Sequence, residues 1–309
     1  LHSSLKTKKE NRMNFKNVTV AGSGVLGYQI AFQTAFHGFK VSVYDINDEV
    51  LGKAKAKFFE LCECYKRDLN ATQDQLDNTF NNLSYHSNLA EAVKDADLVI
   101  EAVPEDPAIK RDFYEKLSQV APEKTVFATN TSTMLPSHFK DLTGRPEKFL
   151  ALHFSNKIWT FNMAEIMGHA GTDKKVFDDV VEFAKAIGMM ALPIYKEQPG
   201  HLLNSMLVPF LISATELWVK EVSDHEMIDR AWMKSFGSPL GPFAILDIIG
   251  INTVYNVAKL NAETNPNMTP LMEKLDAEFI KPGHLGMFAG KGFYSYPNPT
   301  YASEDFLKS

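Results

Sequence analysis

At 309 residues, with 45% apolar and 23% charged residues, the chain has room for about two domains and the composition of a folded globular protein. Its net charge of −6 argues against a nucleic-acid or membrane-surface partner, since both want a basic face. No window approaches about 18 consecutive apolar residues, so no transmembrane span is predicted and the expected partner is a small molecule.

The first twelve residues, "LHSSLKTKKENR", are basic and polar, with Met13 ahead of the first apolar run. They read as a cloning remnant or a disordered extension, with a truncated organelle-targeting stretch as the alternative. "NVTVAG" (17–22) is a β-branched strand. Residues 25–37 have helical spacing, with Val25, Leu26, Ile30, Ala31 and Ala35 on one face and Gly38 as a cap. "KVSVYD" (40–45) is a second strand, and 48–82 a long helical stretch rich in Lys, Glu and Gln. The only cysteines, Cys62 and Cys64, fall inside that stretch. Two positions apart on a helix they diverge, so neither a disulfide nor a metal pair is expected, and they read as reduced packing residues of a cytoplasmic protein.

"DLVIEAV" (97–103), "TVFATN" (125–130) and "FLALHF" (149–154) then read as fully buried strands alternating with helices. That alternation predicts an α/β fold, a Rossmann-like parallel sheet with helices on both faces. After "EQPGHL" (197–202) the segments are helical and apolar, with Pro199-Gly200 as the junction. The expected organisation is 1–12 as an extension, 13–198 as a dinucleotide-binding domain, and 199–309 as an all-helical C-terminal domain for substrate and dimer contacts.

"VTVAGSGVLG" places Gly22, Gly24 and Gly27 between the first strand and the first helix, with Val25 and Leu26 at the helix start. One glycine makes the turn, the second lets a pyrophosphate approach the backbone, and the third lets helix pack on strand. The helix N-terminus offers free N–H groups to the phosphates. Asp45, at the end of the second strand, can accept from both ribose hydroxyls and would repel a 2′-phosphate, so the cofactor is read as NAD.

Ligands of open parallel sheets bind beyond the carboxyl ends of the strands. There the chain delivers Glu101, Glu105 and Lys110; then Asn130, Thr131 and Ser132; then His153 and Asn156; and, twelve residues after His153, Glu165. Oxidising a hydroxyl compound with NAD needs a base near its oxygen, and histidine titrates in the right range. A carboxylate beside it fixes the tautomer and favours the imidazolium. Ser132 and Asn204 are the candidates to hold the reacting oxygen. Taken alone, His153 reads better as a satisfied core histidine near a turn, and Asn204 has the alternative of a structural cap or a helix–helix hydrogen bond. No metal site is expected.

"GSGVLG", "YD", "EAVPED", "NTST", "HFSN", "AEIM", "PGHLLNSMLVP", "GPFAILDIIG" and "GKGFYSY" occur in the order and spacing of the L-3-hydroxyacyl-CoA dehydrogenases, and the chain resembles that family over roughly 17–297. The resemblance implies NAD-dependent interconversion of an L-3-hydroxyacyl thioester and its 3-ketoacyl form. It implies His153 as the base paired with Glu165, Ser132 and Asn204 on the substrate oxygens, and Glu105, Lys110, Ser132 and Asn156 near the cofactor; Asn130, at the end of its strand, is read as a further cofactor-binding residue. It also implies a homodimer through the helical domain, to which the apolar stretch 241–260 is assigned.

The chain departs from the family around the pocket. "HFSNKIW" carries Ser155 and Lys157 where the family has Phe and Pro, Ser205 replaces an Arg, and Phe288 lies where a Lys usually precedes the terminal glycines. The family's coenzyme A serine aligns near Leu61. Lys66 and Arg67 are either coenzyme A ligands or solvated charges, and Lys157 either pairs with a substrate carboxylate or is a solvated turn residue. Trp159 would narrow the acyl channel toward short chains. Two other readings stay open: a dehydrogenase of a free hydroxy acid, and an NAD-binding relative without turnover.

Overall fold

The computed structural model describes residues 13, 15–262, 265 and 268–308, and of residues 260 and 261 the backbone alone. The reading of residues 1–12 lies outside the described residues. The chain divides into two compact units between Leu202 and Leu203.

The first unit is an eight-stranded sheet in the order β3-β2-β1-β4-β5-β6-β7-β8. Its elements are β1 (Asn17–Ala21), α1 (Gly27–Phe36), β2 (Lys40–Tyr44), α2 (Asp48–Leu69), α3 (Gln73–Asn81), β3 (Leu83–His86), α4 (Leu89–Val93), β4 (Leu98–Glu101), α5 (Pro107–Val120), β5 (Val126–Thr129), β6 (Phe149–Phe154), β7 (Met163–Gly168), α6 (Lys174–Ala186) and β8 (Met190–Ile194). Side chains alternate across a strand. Thus Val18, Val20, Leu98, Ile100, Leu150 and Leu152 share a core with Ile30, Phe58 and Phe183 of the helices. Their neighbours Val99, Phe127 and Phe149 join Phe113, Tyr114 and Leu117 in another. Both faces are therefore covered, as a Rossmann-like sheet requires.

Three local readings change. The stretch 48–82 is two helices: Asn70 adopts left-handed φ 55 and ends α2, and Thr72 with Gln75 forms a capping box that starts α3. β3, at the sheet edge, has four residues and little burial, too weak a pattern to read from the sequence. The sheet is also not wholly parallel. β1 to β6 pair in parallel, but β7 returns antiparallel to β6, and β8 runs parallel to β7. An antiparallel neighbour can follow through a short connection, whereas a parallel one needs a long crossover. Only residues 155–162 separate β6 from β7.

The second unit contains α7 (Leu203–Val219), α8 (His225–Phe236), α9 (Pro242–Ile249), α10 (Ile251–Ala262) and α11 (Thr269–Leu275). Trp218, Phe243, Leu246, Leu275 and Phe293 are part of its core. The stretch 241–260 breaks at Gly250, φ +95, so it is two helices. Two buried carboxylates organise this unit. Asp229 accepts from Phe243 N, Ala244 N and the Tyr294 hydroxyl, and Asp247 accepts from Phe293 N, Tyr294 N and the Tyr296 hydroxyl. The "GKGFYSY" segment is thereby stapled onto α9. Among the described residues no helix is long and apolar enough to cross a membrane.

Candidate active site

The sheet order reverses between β1 and β4, and the glycine-rich turn follows β1 at that switch point. Gly22 has φ +96, and a Cβ on it would meet Ala102 O at 2.4 Å; a Cβ on Gly27 would meet Gly22 O at 1.8 Å. Both positions are closed to any side chain. A Cβ on Gly24 would meet nothing within 4 Å, so that backbone faces open space where a pyrophosphate needs it. Val25 is 62% exposed and leaves the apolar face read for it, which places it at the open side of the turn beside Leu26.

Asp45 follows β2. Its Oδ2 accepts from Ser23 N (2.7 Å) and Ser23 Oγ (2.6 Å), and its Oδ1 from Ile46 N (2.8 Å). Ser23 was not singled out in the sequence, although it is the central residue of Gly-Ser-Gly. It clamps the loop to the carboxylate that ribose hydroxyls would meet. The residues thus fit a dinucleotide without a 2′-phosphate. Catalytic efficiency with NADP is expected to be at least about tenfold below that with NAD, because the phosphate would face the Asp45 carboxylate. Steady-state kinetics with both cofactors reads this, and equal efficiency would remove Asp45 from that role.

At the same edge of the sheet, the next-to-last residue of β6 is His153, which is 5% exposed. The β6–β7 register sets His153 directly opposite Glu165. Directly opposed residues of an antiparallel pair lie side by side on one face, so twelve residues of sequence become one contact. His153 Nδ1 lies 2.8 Å from Glu165 Oε2, and Glu165 Oε1 accepts from Leu202 N at 2.8 Å. An ionised carboxylate only accepts, so Nδ1 carries the proton and Nε2 presents its lone pair. Ser132 Oγ lies 3.1 Å from that Nε2.

Ser132 sits on the turn after β5, and Glu105 builds that turn. Its Oε1 accepts from the Thr131 hydroxyl, Ser132 N (3.0 Å), Thr133 N (3.1 Å) and Thr133 Oγ1 (2.9 Å). Burial alone would raise the Glu105 carboxyl, but the Thr131 hydroxyl and the Lys110 charge outweigh it and hold it below the usual range. Asn130 ties the two strand ends together, its Oδ1 accepting from Phe154 N at 2.9 Å.

Lys110, placed near the cofactor by the family resemblance, is 1% exposed, with Nζ 2.6 Å from Glu101 Oε1 and 3.2 Å from Glu105 Oε2. Leu61 is buried in the core and holds no ligand position. Lys66 pairs with Glu63 and Arg67 with Asp68 at the surface, pairs weak enough for an anion to displace. Trp159 is fastened to α2, its indole N–H donating to Asp68 Oδ2 at 2.8 Å and its ring beside Tyr65. The charge of Lys157 also acts on Asp68.

Asn156 Oδ1 accepts from Gln29 Nε2 (2.7 Å), and Gln29 Oε1 accepts from Lys157 N (2.9 Å). Gln29, buried on α1, staples the turn after β6 to the first helix; its only sequence signal was an amide, one of two with Gln33, inside an apolar helix. Asn204 lies on the first turn of α7, partly buried, in the second unit. The sequence reading also passed over His201, whose ring stacks on His153. Donor atoms of His153, Glu165 and His201 lie within 4.8 Å of one another. The two rings are nearly parallel, so their in-plane lone pairs do not converge, and both Glu165 oxygens already accept hydrogen bonds.

Residues 17–198 match the family model for the 3-hydroxyacyl-CoA dehydrogenase NAD binding domain, and residues 200–296 match that for the 3-hydroxyacyl-CoA dehydrogenase C-terminal domain. The chain belongs to the 3-hydroxyacyl-CoA dehydrogenase family. It is an NAD-dependent enzyme of that family, and Gly22, Gly24 and Gly27 belong to the matched NAD-binding segment. Human "Hydroxyacyl-coenzyme A dehydrogenase, mitochondrial" is 31% identical, covering 95% of each chain. The "Probable 3-hydroxybutyryl-CoA dehydrogenase" of Bacillus subtilis is 30% identical over 93% of this chain and 100% of that one. A solved structure described as "Substrate-directed dual catalysis of dicarbonyl compounds by diketoreductase" is 49% identical, with a TM-score of 0.88, covering 91% of this chain and 99% of the other. The (S)-3-hydroxybutyryl-CoA dehydrogenase of Ralstonia eutropha is 25% identical, with a TM-score of 0.80, over 92% and 100%.

Proposed function

We propose that the enzyme interconverts a short-chain L-3-hydroxyacyl-CoA and the 3-ketoacyl-CoA. The observation that carries this reading is the Ser132–His153–Glu165 array at the sheet edge that also carries the glycine-rich turn. Bound NAD supplies the hydride acceptor. His153 Nε2 takes the proton of the substrate hydroxyl as base, and in the reverse direction returns it to the carbonyl oxygen as acid. Glu165 keeps Nε2 the accepting nitrogen and stabilises the imidazolium that forms. Ser132 Oγ, next to Nε2, holds the reacting oxygen. Asn204 is retained from its motif as a second ligand of that oxygen. Gly22, Gly24, Val25, Leu26, Gly27 and Asp45 would hold the dinucleotide, while Asn130 and Asn156 border it and Glu105 orders the adjoining turn.

A second reading, reduction of a free dicarbonyl or oxidation of a free hydroxy acid, is favoured by the 49%-identical diketoreductase. A 3-ketoacyl thioester is itself a 1,3-dicarbonyl, so both readings put the same reacting unit against His153. They differ in what anchors the rest of the molecule: a coenzyme A tail would have to displace the weak surface pairs of Lys66 and Arg67. NADH oxidation with acetoacetyl-CoA is expected, at a higher kcat/KM than with a free 1,3-diketone or 3-oxo acid. Turnover of the free compounds with none of the thioester would replace the first reading by the second. A cytoplasmic homodimer through the helical unit completes the proposal. Sedimentation at micromolar concentration and cell fractionation test it, and a monomer would count against the dimer.

A further inference from the structure

His201 is fully buried, and its ring lies over that of His153 with centroids 4.6 Å apart and planes 26° apart. It reaches that place on an unusual backbone. Gly200 has φ +78 and His201 φ +56, so two successive residues are left-handed, a conformation that glycine adopts freely and a side chain bearing a Cβ resists. His201 N donates to Gln198 O at 3.0 Å, which closes the turn, and the next amide, Leu202 N, donates to Glu165 Oε1. Backbone geometry alone would be better served by glycine at 201, so the imidazole answers a demand made by its ring. That ring touches the base itself.

We infer that His201 is a positioning residue, a stacked platform that holds the plane of the His153 ring so that Nε2 stays aligned with Ser132 and the substrate oxygen. This rests on the proton-transfer reading of His153 given above. Glu165 and Ser132 hold the two nitrogens of the His153 ring, but contacts at Nδ1 and Nε2 alone leave the ring free to rock about the line joining them. A second ring against its face removes that motion. An uncharged platform suits the task, because an imidazolium forming on His153 is attracted to an aromatic face and repelled by a second cation. Burial first, and then the charge of His153, push His201 down to about 4, so it is uncharged at neutral pH. The Glu165 charge and a hydrogen bond with the Ser132 backbone pull the other way without prevailing.

Two variants separate the ring from the turn. His201→Gly removes the platform and suits the left-handed backbone, whereas His201→Phe keeps a ring and keeps the backbone demand. With whichever 3-oxo compound the wild type reduces, kcat of His201→Gly is expected to fall about 10–100-fold, the scale of losing alignment of a catalytic group. KM for NADH should stay within about twofold, since the platform acts on the His153 ring and meets Ser132 only through its backbone, and His201→Phe should keep kcat within about threefold. An activity-free readout is carbethoxylation of His153 by diethyl pyrocarbonate, followed by peptide mass spectrometry. It should speed up in His201→Gly and not in His201→Phe. Wild-type kcat and wild-type carbethoxylation in His201→Gly would overturn the inference, as would a loss in His201→Phe as large as in His201→Gly. If the wild type reduces no 3-oxo compound, the functional reading fails, and the carbethoxylation comparison still decides the platform.

Discussion

Replacing His153 by Gln is expected to lower kcat by about 10²–10⁴-fold, the usual contribution of a positioned general base, while NAD affinity stays within about threefold. The glutamine amide can occupy much of the imidazole's volume. It can also keep a hydrogen bond to Glu165 or to Ser132, so the end of β6 and the turn after β5 should hold their places. What it cannot do is take a proton near neutral pH. Glu165→Gln should also cut kcat, but less, because His153 remains and loses only its tautomer control and counter-charge. Steady-state kinetics beside calorimetric titration with NAD separates chemistry from cofactor binding. A His153→Gln enzyme within about tenfold of wild-type kcat would place the base elsewhere. A parallel collapse of NAD affinity would mean that the substitution had disturbed the sheet edge.

The parts of this arrangement that were legible in the sequence are those set by local patterns. Short apolar runs, Leu98–Ile100, Val126–Ala128 and Phe149–Leu152, announced β4, β5 and β6. The glycine turn carried its own context, a strand before it, a helix after it, and Asp45 at the end of β2. The His153–Glu165 pair was legible as two residues with matching chemistry, but its geometry was not. β7 is a six-residue strand with a carboxylate in its middle. Only the antiparallel register, fixed by the short connection from β6, turns Glu165 toward His153. The break between α2 and α3 did leave a signal, a Thr72–Gln75 capping box inside what reads as one long helical stretch. The burial of Lys110 was not legible, for a different reason. Its position one turn beyond Glu105 is as expected, but whether a lysine faces solvent or the underside of a sheet depends on how α5 lies on β4 and β5, which no local pattern encodes. His201 was invisible in the same sense, because its meaning comes from the ring it touches and not from its neighbours in "PGHLL".

Lys110 leads to the second large effect, on stability. Glu101 ends β4 with no exposure, and both oxygens are fully engaged. Oε1 accepts from Lys110 Nζ (2.6 Å) and Val103 N (3.0 Å), and Oε2 from the Tyr114 hydroxyl (2.9 Å) and Thr129 Oγ1 (2.7 Å). Glu101→Ala removes an acceptor for all four donors at once. It leaves the buried ammonium with Glu105 as its remaining ion-pair partner, and Glu105 is already committed to the Ser132 turn. Removing one partner of a buried pair typically costs about 3–5 kcal/mol, because the charge left behind stays desolvated. For a unit of this size about 1 kcal/mol moves Tm by roughly 2–4 °C, so a fall of roughly 6–20 °C is expected. Replacing both partners, as in Glu101→Gln with Lys110→Met, should be milder than Glu101→Ala alone, since no uncompensated charge remains. The two effects should also be linked to activity. A Lys110 drawn toward Glu105 would compete with the turn for its carboxylate, so kcat of Glu101→Ala, measured well below its Tm, should fall together with stability. Thermal unfolding of the three proteins by circular dichroism makes the comparison. A Glu101→Ala protein within about 2 °C of wild type, or a double variant less stable than the single one, would show that the buried pair does not hold the strand end together.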